Sequence, residues 1–188
     1  MSFTFNGKTY NYFKHPYNKT WINERIVEVP IIWDIVEPFK GKILEVGNVL
    51  QHYFNINHTI IDLREKMAGV LNQDICTFKP NNTKYDLIVS ISTLEHVGKE
   101  PKIIQAFDNL KSLLAPKGSL VFTIPTSWNP EMDIAVQKAF KITDLKALKR
   151  TTADNQWLEI PVTEVWKCKY NKPFRKANGL VICFYTNL

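Results

Sequence analysis

Five short apolar runs that do not alternate with polar residues constrain this chain more than any other feature. They are Lys42-Ile-Leu-Glu-Val46, His58-Thr-Ile-Ile-Asp62, Gly69-Val-Leu-Asn-Gln-Asp74, Tyr85-Asp-Leu-Ile-Val-Ser-Ile-Ser92 and Ser119-Leu-Val-Phe-Thr-Ile-Pro125. A strand with one wet face alternates apolar and polar side chains. A run without alternation reads as a strand covered on both faces, as in a parallel sheet under helices. Between the fourth and fifth runs, Ile103, Ala106, Phe107, Leu110, Leu113 and Leu114 follow helical spacing over residues 102–114. Pro116-Lys-Gly118 then predicts a turn. Strand–helix–strand alternation of this kind predicts an open α/β sheet in a single domain.

The flanks read differently. Residues 1–38 are polar and aromatic, and Pro30 marks the start of a short helix. Asp144 to Thr151 and Trp157 to Ile160 read as strand pieces, and Asn178 to Thr186 as a final strand. The segment Lys169–Lys176 reads as a basic, solvated loop.

Composition narrows the function classes. The 188 residues are 45% hydrophobic and 22% charged, a globular balance that leaves little room for a second domain. Cys76, Cys168 and Cys183 are odd in number and widely spaced, which argues against a disulfide framework or a cysteine zinc site and for reduced thiols in a cytoplasm. The four histidines have no metal-ligand spacing, so no metal is expected. No segment is long and apolar enough to span a bilayer, and the first ten residues lack the apolar core of a signal peptide. The formal charge of +6 is modest and comes without a long run of Lys or Arg, so a nucleic-acid partner is allowed but not favoured.

Gly47, Asp62 and Asp74 stand at or just after the carboxyl ends of the first three runs, where open α/β sheets bind ligands. An acid closing the second strand is placed to accept from a ribose diol. Gly47 lets the backbone approach a ligand, and Asp74 is placed to receive an adenine amino group.

These segments, in this order, resemble the class I S-adenosylmethionine-dependent methyltransferases. Ile43-Leu-Glu-Val-Gly47 is similar to the first motif of that family, Ile60-Ile-Asp62 to its acidic second-strand motif and Gln73-Asp-Ile75 to its adenine-side motif. Tyr85–Val97 resembles the fourth-strand segment of small-molecule methyltransferases of the ubiquinone-biosynthesis type, and Leu113–Leu120 the turn before the fifth strand. Asn23-Glu-Arg25, Glu45–Leu50 and Ala177-Asn-Gly-Leu180 also resemble methyltransferase-like proteins of sugar and polysaccharide pathways.

The resemblance implies a Rossmann-like fold with a mostly parallel seven-stranded sheet and an antiparallel last strand. Residues 1–38 would be a lid or cap, 39–125 the cofactor-binding half and 126–188 the acceptor side. Glu45 would hold the first loop or reach the methionyl ammonium through water, and Gly47 and Asn48 would face the methionyl group. Asp62 would bind the ribose, Leu63 and Ile75 would flank the adenine, and Asp74 would take its amino group. Ser90 and Ser92 would contact the methionine moiety or line its channel. His96 is the candidate base, because its titration range suits proton abstraction near neutrality; a histidine that only hydrogen-bonds locally is an equal reading. Glu95 reads as a solvated acid near a helix start, and Trp21 with Asn23–Arg25 as a lid or as surface charges.

The implied reaction is in-line transfer of a methyl group from S-adenosylmethionine to an oxygen of a small molecule, a sugar among the candidates, leaving S-adenosylhomocysteine. Two features depart from the family pattern. Val49 and Gln51 stand where further glycines are usual, and only eleven residues separate Asp62 from Asp74, too few for a crossover helix. The missing glycines keep a catalytically silent binding protein as the alternative, and the charge keeps an RNA methyltransferase. GxGxxG is absent after the first run, which disfavours a nicotinamide enzyme.

Overall fold

A computed structural model describes residues 1–187. Eight strands form one sheet. Its first half contains β3 (Ile43–Val46), β4 (Thr59–Ile61), β5 (Val70–Leu71), β6 (Tyr85–Ile91) and β7 (Leu114–Pro125); its second half contains β8 (Asp144–Arg150), β9 (Trp157–Ile160) and β10 (Gly179–Thr186). The spatial order is β5-β4-β3-β6-β7-β10-β8-β9. Strands β3 to β7 pair in parallel, and β10 inserts antiparallel between β7 and β8. The sheet therefore has eight strands where the resemblance implied seven, because β9 pairs antiparallel onto β8. A separate hairpin, β1 (Ser2–Phe5) and β2 (Lys8–Asn11), precedes helix α1 (Arg25–Val36).

The non-alternating runs are explained by cover on both faces. Leu87, Val89 and Ile91 of β6 join Leu180 and Ile182 of β10 in a core with Phe3, Phe5 and α1 residues such as Ile26, Ile31 and Ile32. Ile88, Leu120, Phe122, Ile124, Val181 and Cys183 join the opposite core, with Ile103, Phe107 and Leu110 of α2 (Glu100–Leu113). The expected helix starts two residues early, at Glu100, and Leu114 already belongs to β7. The expected Pro116–Gly118 turn is an irregularity inside β7, with Lys117 at φ +62° and the register shifting between Tyr85 and Leu87. A Cβ on Gly118 would lie 2.9 Å from the carbonyl oxygens of Ala115 and Tyr85, so the backbone passes too closely for any other residue.

Pro30 lies within α1 rather than at its start. A proline inside a helix leaves the carbonyl four residues earlier without a helical donor. That carbonyl is Ile26, and it accepts from the Phe13 backbone N–H at 2.9 Å. The proline thus frees the group that ties the N-terminal segment to the helix.

The crossovers that normally carry helices are reduced. The link from β3 to β4 holds only a 3₁₀ turn, Leu50–His52, and no helix lies between β4 and β6. The third run contracts to the two-residue β5, with Asp74 beyond it in a turn that accepts the Thr77 and Phe78 N–H groups.

After β7, Asn129 caps α3 (Pro130–Ile134) by accepting from the Glu131 and Met132 N–H groups. Asp133 of α3 accepts from the Ser127 N–H at 2.7 Å, while its other oxygen is buried without a partner. Burial raises the Asp133 pKa to about 6, against a smaller lowering by the Ser127 hydrogen bond. The folded state then keeps its proton where the unfolded chain has lost it, so stability falls as pH rises from about 4 to about 6. Asp133→Asn should remove that loss. Chemical denaturation is expected to show the variant more stable than wild type by about 1–2 kcal/mol at pH 7 and equal near pH 4; a constant difference across that range would refute this.

Candidate cofactor and acceptor site

A cavity of about 570 Å³ opens at the carboxyl ends of β3, β4 and β6. Gly47, Asp62, Leu63, Asp74, Ile75 and His96 line it, which brings together six of the ten residues singled out in the sequence. Glu45, Asn48, Ser90 and Ser92 do not line it. A larger cavity, about 1030 Å³, lies at the amino ends of the same strands beside Trp33, Phe39, His58 and Tyr85. Ligands of doubly wound sheets bind at carboxyl ends, so the smaller cavity is the candidate site.

Glu45 organises the loop instead of facing a ligand. It is fully buried; Oε1 accepts the Val49 and Leu50 N–H groups at 2.8 Å, and Oε2 meets His58 Nε2 at 2.8 Å. This clamp turns the chain into the 3₁₀ turn after β3. Val49 lies in the core beside α1, not against the cavity. The missing glycine therefore changes the path of the loop, and the valine is spent on the core. Gln51 donates to the Ala68 carbonyl at 2.9 Å.

Gly47 sits at φ +86°, and its N–H donates to the Ile61 carbonyl at 2.8 Å. A Cβ there would lie 2.1 Å from Thr93 Oγ1. The close approach that Gly47 permits is thus taken up by Thr93. Asn48 is buried, donates to the Met67 sulfur at 3.4 Å and leaves Oδ1 without a partner.

Asp62 follows β4 directly. Oδ1 accepts from the Arg64 and Glu65 N–H groups at 2.8 Å, and Oδ2 from the Asn48 N–H at 3.2 Å. Burial pushes the carboxyl pKa up, but the three N–H groups outweigh it and the net shift is downward. Oδ1 spends both lone pairs on its two N–H donors, and Oδ2 retains one for a ligand hydroxyl. Leu63 is 60% exposed at the rim and Ile75 is buried in the wall. Asp74 Oδ1 accepts from the Cys76 N–H at 2.8 Å.

The two serines are spent elsewhere. Ser90 is fully buried and donates to the Val46 carbonyl at 2.9 Å, tying β6 to β3. Ser92, at φ +40°, donates to Glu28 Oε1 at 2.5 Å. His96 is at the cavity wall, its ring edge-on to Trp128 at 4.1 Å. Burial, then the charges of Arg25 and Arg64, lower its pKa, so the imidazole is neutral and basic near pH 7.

The sequence reading missed Arg64, Glu65, Thr93 and Lys102 in the wall. The first two had a signal, since they stand two and three residues after the acid that ends a strand. His52 Nε2 meets Glu65 Oε1 at 2.7 Å, and Tyr17 stacks on His52 at 4.0 Å, which brings residues of the N-terminal segment to the cavity rim. Glu95 is 2% exposed, not solvated, and burial raises its pKa well above the ordinary value. Asn23 is 5% exposed and Arg25 pairs with the buried Glu28, so these are not surface charges. Glu28 also had a signal: it is the one acid among the apolar residues 26–32.

A parallel sheet in this strand order, with an acid closing β4 and a cavity over the carboxyl ends, defines a class I methyltransferase fold. Residues 40–183 match a family model described as a methyltransferase domain, and the chain belongs to that family of S-adenosylmethionine-dependent enzymes. Among solved structures, the chain is similar to the N-methyltransferase NodS from Bradyrhizobium japonicum in complex with S-adenosylhomocysteine, at 16% identity, 87% of each chain and a TM-score of 0.58. It is also similar to a Thermotoga maritima S-adenosylmethionine-dependent methyltransferase described as a possible histamine N-methyltransferase, at 15% identity, 88% of this chain, 98% of that chain and a TM-score of 0.51. A search of curated protein sequences found no match. No helix among the described residues is long and apolar enough to cross a membrane, and no group of three or more metal-ligating side chains occurs among them.

Removing the Glu45 clamp is a direct test of the loop. Glu45→Ala strands two backbone N–H groups and His58. Urea denaturation is expected to show a loss of about 3–5 kcal/mol; a loss below about 1 kcal/mol would show that the loop holds itself.

Proposed function

We propose that this methyltransferase acts on a small-molecule acceptor, with its cofactor held in the cavity at the carboxyl ends of β3, β4 and β6. The observation that carries the reading is the position of Asp62. It lies at the end of β4 with its carboxylate held ionised and oriented by three backbone N–H groups, while Leu63 presents unspent apolar surface beside it. An ionised carboxylate next to an exposed leucine suits a ribose joined to a flat base. The fit of the nucleoside is therefore supported by the donors and surface present.

In this reading Asp62 binds a ribose hydroxyl, Leu63 and Ile75 sandwich the adenine, and Asp74 accepts from its amino group. Gly47 faces the methionyl end. Bound there, S-adenosylmethionine supplies an activated methyl group on a sulfonium. The chain's contribution is alignment and a suitable electrostatic environment. His96 stands at the mouth on the side of β6, where a neutral imidazole is able to take a proton from an acceptor. Trp128 fixes its ring orientation by the edge contact. We place the acceptor over the carboxyl ends of β6 and β7, between His96 and the N-terminus of α1, and the cytoplasm as the site of action.

Calorimetric titration tests the cofactor assignment. S-adenosylhomocysteine is expected to bind wild type with a Kd in the micromolar range, and Asp62→Ala to weaken it by about tenfold to a hundredfold, the loss of charge-assisted hydrogen bonds of about 1.5–3 kcal/mol. Equal affinity in both proteins would remove Asp62 from the site, and no heat in either would remove the cavity.

A further inference from the structure

We propose that the cavity at the amino ends of β3 and β4 is an effector site for an anionic ligand built on a flat ring, and that its occupant tightens cofactor binding through His58 and Glu45. The inference rests on the cofactor reading above and adds a regulation of that site.

The cavity measures about 1030 Å³, room for a ligand of ordinary size. Its wall combines two kinds of group. Trp33, Phe39 and Tyr85 supply aromatic surface, and Phe54 pre-sets Trp33 by stacking on it at 3.8 Å with the ring planes 9° apart. Lys40 and Lys42 supply positive charge. Neither ammonium takes part in an ion pair among the described residues, and Glu37 is the one acid in the wall. The loop that carries the lysines is fixed by Asp86, whose Oδ2 accepts from the Lys42 N–H at 2.8 Å; a Cβ on Gly41 would lie 2.8 Å from the same oxygen. The carboxyl end of α1 borders the cavity, and the partial negative charge of a helix end opposes an anion. Two of its last carbonyls, those of Trp33 and Val36, are taken by the N–H groups of Glu37 and Phe39. The two ammoniums therefore carry the balance of charge toward a ligand.

The two cavities share strands. β4 is three residues long, with His58 before it in the wall of the amino-end cavity and Asp62 after it in the wall of the cofactor cavity. β3 likewise runs between Lys42 and Gly47. Side chains make a second connection. The His58 side chain is only 5% exposed, and its Nε2 meets Glu45 Oε2 at 2.8 Å. Glu45 Oε1 accepts from the Val49 and Leu50 N–H groups, and the Asn48 N–H, next in the chain, donates to Asp62 Oδ2 at 3.2 Å.

An unbroken line of contacts thus joins the amino-end cavity to the carboxylate assigned to the cofactor. A ligand packed on His58 restricts the ring, steadies Glu45 and keeps the Asn48 N–H on Asp62. The cofactor then meets a loop already ordered, so less ordering opposes its binding. By linkage the cofactor tightens the effector by the same factor.

The test uses two flat-ring anions, 2-naphthyl phosphate and uridine 5′-monophosphate, each against its uncharged partner, 2-naphthol and uridine. Calorimetry is run on the full chain with and without S-adenosylhomocysteine. At least one anion is expected to bind the S-adenosylhomocysteine-loaded protein at least about tenfold more tightly than its uncharged partner, and to tighten S-adenosylhomocysteine at least about fivefold. The double variant Lys40→Ala, Lys42→Ala, in which both side chains are exposed, is expected to weaken the anion at least about tenfold while S-adenosylhomocysteine affinity without the anion stays within about twofold. His58→Gln is expected to keep anion affinity within about threefold and to lose its effect on S-adenosylhomocysteine. If that variant does not fold, amide shift mapping of wild type carries the link, with the anion alone expected to move Val49 and Leu50 as well as Lys40 to Ile43. Equal binding of the uncharged partners, or binding undiminished in the lysine variant, would overturn the proposal. So would an anion that leaves S-adenosylhomocysteine affinity unchanged, or one that weakens it by competing for the cofactor cavity. If S-adenosylhomocysteine binds no form of the protein, the cofactor reading fails, while lysine-dependent anion binding that moves Val49 and Leu50 would still support the amino-end site and its link.

Discussion

The carboxyl end of the sheet is organised by glutamates withdrawn from water. A buried carboxylate is unfavourable unless each oxygen finds a donor, so each one dictates what surrounds it. Glu45 requires the N–H groups of Val49 and Leu50 and the ring of His58, and that requirement shapes the loop after β3. Glu28 requires Ser92, Thr123 and Arg25, and that requirement docks α1 across β6 and β7. Gly47, Asp62 and His96 reach one cavity because these two anchors hold the loops that carry them. Asp62 repeats the principle on a smaller scale, its carboxylate held by three N–H groups from two loops.

Much of the sheet was legible because burial on both faces writes a continuous apolar run. Runs one, two, four and five became β3, β4, β6 and β7, and the antiparallel β10 followed from an equally apolar tail. The third run was weaker, and only Val70–Leu71 pairs as a strand. Pro30 was misplaced because proline at a helix start and proline inside a helix look alike until the freed carbonyl's partner is known, and here that partner is Phe13, thirteen residues away in sequence from Ile26. The extra strand β9 was visible as a piece but not as a member of the sheet, since pairing with β8 depends on the turn between them.

The site was legible in its backbone and less so in its side chains. Acid and glycine at strand ends marked where a ligand would lie, since that follows from topology. Which side chains face the cavity does not. Ser90 points at β3 and Ser92 at α1, and neither direction is encoded by the local pattern. Glu95 beside His96 looked like a solvated acid because what covers it comes from elsewhere in the chain, as with Asn129, 34 residues on, which donates to its carbonyl. Val49 stands where a further glycine is usual, but it turns into the core beside the Glu45 clamp that accepts its N–H.

The chain carries two cavities at opposite ends of the same strands, and the central claim is that the cofactor takes the one at the carboxyl ends. Amide chemical-shift mapping of the full chain with S-adenosylhomocysteine separates them in one titration. The account expects the largest changes at Gly47, at Asp62 to Glu65, at Asp74 and Ile75, and at Thr93 to Val97, all in or beside the cavity wall. Changes centred instead on Lys40 to Ile43 and Asn55 to Thr59, at the amino ends, would contradict it.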